Sequence, residues 1–114
     1  MLIIQIDPTK KAEIDRKAGL VAVDQWFADQ TAAGFTTPGG WKLGLGESDV
    51  TLLTGAFVLA KEAAALELPL PQIVDTDGAP HSLPLAEMTS LMLVYGGHRA
   101  QLSAEYAARK SAVT

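Results

Sequence analysis

Hydrophobic and polar positions divide the chain into segments of different period. Met1 to Ile6 is a short run rich in β-branched residues, and Asp7-Pro8 follows it with the chemistry of a helix start. Asp7 can accept from free N–H groups of the first turn, and Pro8 fits the first helical position, where its missing donor costs nothing. A helix is therefore predicted from about Pro8 to Ala33, closed by Gly34. Its first turns carry Lys10, Lys11, Glu13, Asp15, Arg16 and Lys17, whereas Leu20, Val23 and Phe27, with Trp26 beside them, recur at helical spacing. The front half is expected to project into solvent or lie against a partner.

Pro38-Gly39-Gly40 is a strong turn signal, and Phe35–Thr37 and Trp41–Leu45 on either side are expected to pair as short strands. Ser48 or Asp49 then caps a second helix over about Asp49 to Leu66, ended by Pro69 and Pro71. This segment is apolar on nearly every side, which predicts a position between other elements at the centre of the core. A third helix starts near Pro84. Along it Met88, Met92, Tyr95, Arg99, Leu102, Tyr106, Arg109 and Val113 alternate steps of four and three, the spacing of a coiled-coil seam. Gly96-Gly97 within it predicts a kink or the close approach of another backbone. The expected fold class is α+β, a single domain over residues 1–114 with three helices, one or two small β-hairpins and a short N-terminal strand at residues 2–6.

At 114 residues the chain has the size of one ordinary domain, large enough to bury a core without staples. It has no cysteine, which removes disulfides, thiolate nucleophiles and cysteine metal sites. A net charge of -4 with scattered basic residues argues against a nucleic-acid footprint. The longest apolar stretch, Val50 to Ala60, is far shorter than the ~20 residues of a membrane span, so no membrane association is expected. The N-terminal run is too short for the core of a signal peptide, and the chain reads as mature and unexported.

The densest chemistry lies in "QIVDTDGAPHSLPL", Gln72 to Leu85. A calcium loop of the EF-hand type places ligands at its first, third and fifth positions and glycine at the sixth, but here Gly78 follows Asp77 directly, at the fourth. Asp-Gly between "QIV" and "HSL" is instead the pair that hairpin turns favour, which makes Asp75 and Asp77 turn residues. His81 and His98 are too far apart along the chain to form a local metal pair. "GGWKLGLGES" does not place its lysine as a phosphate loop requires. With no nucleophile elbow and no cysteine, the expectation is a non-enzymatic chain with no catalytic residue, cofactor or metal.

Taken in order, several segments resemble a small domain of unassigned function found in tail-fibre and tail-fibre-assembly proteins of tailed bacteriophages and prophages. They are a helix leading into "AAGF" (Ala32 to Phe35), a glycine-containing turn, "ESDVTLLTGAFVLA", then "IVDTDGAPHSLPLAEMTSL" and a closing helix ending "AARKSAV". The resemblance covers about Asp15 to Val113. It departs at Ile73, where the family often has an aromatic residue, and at Ser48-Asp49, where the family often has a serine-rich helix start.

The resemblance implies a hairpin before the last helix and a structural or adaptor role in a phage tail, at the fibre or baseplate, through protein–protein contacts. The protein would be made in the host cytoplasm and located in the virion tail. The alternatives are a tail-fibre assembly chaperone absent from the mature particle and, from another class, a small-ligand-binding domain. Expected partners are other phage tail proteins or further copies of the chain, as a homo-oligomer or within a larger assembly. The expected contact residues are Leu2, Ile4 and Ile6 of the N-terminal strand and Met88, Met92, Tyr95, Arg99, Leu102 and Tyr106 of the last helix.

Overall fold

The computed structural model describes residues 7–113, and the strand expected at residues 2–6 lies outside them. Helix α1 (Pro8–Ala33) begins as its sequence dictates: the Thr9 N–H donates to Asp7 Oδ1 at 2.9 Å and the Lys11 N–H to the Asp7 carbonyl at 2.9 Å. It stops at Gly34, whose φ of 74° is a conformation that favours glycine. Strands β1 (Phe35–Thr36) and β2 (Lys42–Leu43) pair antiparallel in the register Phe35↔Leu43 and Thr36↔Lys42. They are shorter than the expected Phe35–Thr37 and Trp41–Leu45, and Thr37 already belongs to the turn, where its carbonyl accepts from the Gly40 N–H.

Helix α2 (Glu47–Ala65) starts two residues earlier than expected. Its cap is Gly46, and Asp49, one turn in, accepts from the Gly46 N–H at 3.2 Å, the returning half of a capping box. The second hairpin pairs β3 (Ile73–Val74) with β4 (Pro80–His81), Ile73 opposite His81 and Val74 opposite Pro80. Helix α3 (Leu85–Ala112) follows directly from Pro84. The fold is thus α+β, with three helices and two antiparallel two-stranded sheets.

Antiparallel packing of α1 on α3 is visible in successive pairs. The rings of Phe27 and Tyr106 lie 4.5 Å apart, the Arg109 guanidinium covers the Trp26 ring at 4.0 Å, and Val113 meets Gly19. At Gly19 an added Cβ would lie 2.8 Å from a Val113 methyl carbon, so glycine permits this approach. Because α3 ends opposite Gly19, residues 8–18 of α1 run past it and all are exposed, an overhang of about 16 Å at helical rise. The molecule is accordingly long, 81 × 24 × 20 Å, with a radius of gyration of 21.0 Å where a compact chain of this size has about 13 Å.

The core gathers around α3, which corrects the expectation that α2 would be its centre. Met88, Leu91, Tyr95 and Leu102 of α3 are buried with Phe35, Leu43, Leu45, Leu53, Ala60 and Ile73. From α2 only Leu53 and Ala60 are fully covered, and Phe57 is half-buried. An apolar circumference does not guarantee burial when only one neighbouring helix is there to cover it. Gly96 and Gly97 also behave otherwise than expected: α3 passes through them uninterrupted, and a Cβ at either would meet nothing within 4 Å.

Candidate functional site

The loop Asp75–Ala79 is a turn, as its glycine spacing indicates, with Gly78 at φ 82°. Asp75 does more than turn the chain. Its Oδ1 accepts from the N–H groups of Asp77 and Ala79, each at 2.9 Å, and its Oδ2 meets His81 Nε2 at 2.7 Å. The His81 hydrogen bond, followed by the Ala79 N–H, holds the Asp75 carboxyl below its ordinary value of 3.8. An ionised carboxylate only accepts, so Nε2 is the donor.

The other face of the His81 ring stacks on Trp41, with centroids 3.9 Å apart and planes within 8°. Trp41 follows the first hairpin's turn and His81 lies in the second. Together with the Thr76 N–H to Lys42 carbonyl bond of 3.0 Å, the stack joins the two hairpins into one unit. One imidazole nitrogen is bound and one face is covered, so the pair acts as a clamp between hairpins. Among the described residues no group of three or more His, Cys, Asp or Glu is placed to hold a metal ion.

Beside this clamp runs an apolar groove of about 440 Å³. Leu52, Gly55, Ala56 and Leu59 of α2 form one wall, residues 71–76 the other, and Leu43, Leu53 and Tyr95 lie at its base. Tyr95 donates to the Gly44 carbonyl at 2.6 Å, and burial raises its pKa above 10.0. A second groove of about 410 Å³ opens across Pro38, Trp41, Leu83, Ala86 and Val94. Of the large apolar residues lining the first groove, Leu52 is 74% exposed, Leu59 61% and Val74 58%; Leu66, beyond that lining at the end of α2, is 68% exposed. Exposed apolar side chains gathered along one groove mark sites of association more often than scattered leucines do.

The expected contact stripe on the last helix needs correction. Met88, Tyr95 and Leu102 are buried within the chain, and Met92, Arg99 and Tyr106 are partly buried. Tyr106 packs its ring at a tilt against Phe27 and donates to Asp24 Oδ1, both on α1. The four-three spacing reports a helix packed on two neighbours of its own chain, since a seam periodicity is the same whether the partner is internal or external. Leu2, Ile4 and Ile6 lie outside the described residues. The outward row Leu52, Leu59, Leu66 was missed, although its seven-residue spacing stands in the sequence. Alternating apolar residues on every other face of the segment masked it.

Comparison of the chain with protein-family models, curated proteins and solved structures finds no match. No helix among the described residues is long and apolar enough to cross a membrane.

Proposed function

We propose that the chain is a non-enzymatic structural or adaptor component of a bacteriophage tail, in the fibre or baseplate region of the virion, acting through protein–protein contacts. The observation that carries an adaptor role is the outward apolar surface of α2 and β3, where Leu52, Leu59 and Val74 stand exposed along a groove. Such a surface is stabilised by covering it with another protein. The tail as the setting rests on the ordered resemblance of residues 15–113 to the tail-fibre domain. An elongated shape with an overhanging helix suits a connector that touches partners at separated points.

Mass spectrometry of purified particles tests the proposal. Stoichiometric presence in the virion is expected, together with loss of incorporation in a Leu52→Glu, Leu59→Glu variant that remains folded. Absence from particles alongside binding to a fibre protein in lysates would transfer the role to an assembly chaperone. Absence of both would refute a role in the tail.

A further inference from the structure

One wall of the α2–β3 groove is a strand edge. The Asp75 N–H donates to the Ala79 carbonyl at 3.0 Å, so Asp75–Ala79 and Ile73–His81 are the hydrogen-bonded positions of the ladder, and Val74 faces Pro80 at a non-bonded one. Pro80 has no N–H to offer, in keeping with that register. The N–H and C=O of Val74 therefore turn away from β4, towards the edge on which the Thr76 N–H already bonds the Lys42 carbonyl. An extended segment laid along Val74 would find main-chain partners at this edge and apolar cover from Leu52 and Leu59 of α2, the combination used in strand addition.

We infer that the occupant is the segment Leu2–Ile6 of a second copy of this chain. The segment, "LIIQI", is uncharged, and Leu2, Ile4 and Ile6 fall on one side of an extended strand. It cannot serve its own groove. Gly34, at the far end of α1, packs against the Leu43 carbonyl, and Leu43 lies at the base of the groove. The 26 residues of α1 separate that point from Asp7 by about 39 Å. From Asp7 the chain back to Leu2 reaches at most about 20 Å even when fully extended. Only another molecule can present this strand to the groove. Reciprocal exchange closes a dimer, and one-way exchange builds a filament.

The inference concerns the isolated chain and does not depend on the tail reading, so absence from virions would leave it untouched. Because the chain has no cysteine, Ile4→Cys and Val74→Cys variants can be prepared separately, mixed and oxidised without background. A disulfide-linked dimer of the two variants is expected, suppressed by excess synthetic peptide of residues 1–7. Light scattering of the wild type should give a mass above the 12.0 kDa of one chain. Deletion of residues 1–6, and separately Leu52→Glu with Leu59→Glu, should each return the mass to that of a monomer with helical circular dichroism retained. A monomeric wild type at the highest attainable concentration overturns the inference. So does an oligomer that survives the deletion, or equal cross-linking of Ile4→Cys to a cysteine placed at exposed Gln101 of α3.

Discussion

The phenolic oxygen of Tyr95 lies 2.6 Å from the carbonyl oxygen of Gly44, joining the middle of α3 to the chain between β2 and α2 across 51 positions of sequence. Tyr95 is buried and its ring meets Phe35 edge-on at 5.6 Å, so this one side chain ties the first hairpin, the start of α2 and α3 together. Tyr95→Phe keeps the ring and removes the bond, leaving the Gly44 carbonyl without that partner. A loss of about 1–3 kcal/mol is expected in urea unfolding. A change below about 0.5 kcal/mol would show that solvent replaces the bond.

Alkaline pH acts on the same residue. Burial raises the Tyr95 pKa in the folded state above the 10.0 of the exposed phenol. The unfolded chain therefore releases the proton first as pH rises. The stabilisation from the neutral phenol is complete below pH 10.0 and is lost as pH climbs from there through the folded value. Urea midpoints measured on both sides of that pH should fall more steeply for the wild type than for Tyr95→Phe.

Asp75 supplies the acid counterpart. Its folded pKa is lowered, first by the hydrogen bond from His81, so the stability it contributes is present above pH 3.8 and disappears as pH falls through the folded value. At neutral pH, Asp75→Ala should lower the melting temperature more than Asp75→Asn, whose side-chain oxygen can still accept from the Asp77 and Ala79 N–H groups. Asp77→Asn should leave it unchanged. Added calcium should shift none of these, and a calcium-dependent rise in the wild type would contradict the turn assignment.

The two sides of α2 should respond differently to truncation. Leu53 is buried against α3, and Leu53→Ala is expected to cost about 2–5 kcal/mol. Leu52, its exposed neighbour, should tolerate alanine within about 0.5 kcal/mol in the monomer. Equal losses at both positions, measured by chemical denaturation at low protein concentration, would place Leu52 in a covered site.

Gly96 and Gly97 offer a gain. They lie within α3 with nothing near the position of an added Cβ, so Gly96→Ala and Gly97→Ala should each stabilise the chain by roughly 0.5–1 kcal/mol through lower backbone entropy in the unfolded state. A loss at either position would reveal a neighbour that only an assembled form brings close.

Much of the fold was legible because local chemistry decides it. Asp7-Pro8 and Gly34 bound α1 wherever that helix packs, Pro38-Gly39-Gly40 bends the first hairpin, and the position of Gly78 makes residues 75–79 a turn instead of a calcium loop. Capping and turn preferences act within a few residues, and sequence displays them directly. Tertiary structure alone decided which apolar residues are covered. Leu52 and Leu53 are adjacent and chemically identical, yet α3 lies on one side of α2 only, so one is core and the other surface. The same asymmetry put Met88, Tyr95 and Leu102 inside the chain, since a helical seam has one spacing for an internal and an external partner. The clamp of Asp75, His81 and Trp41 was equally unreadable: Trp41 and His81 belong to separate hairpins, and only the docking of one on the other brings their rings face to face.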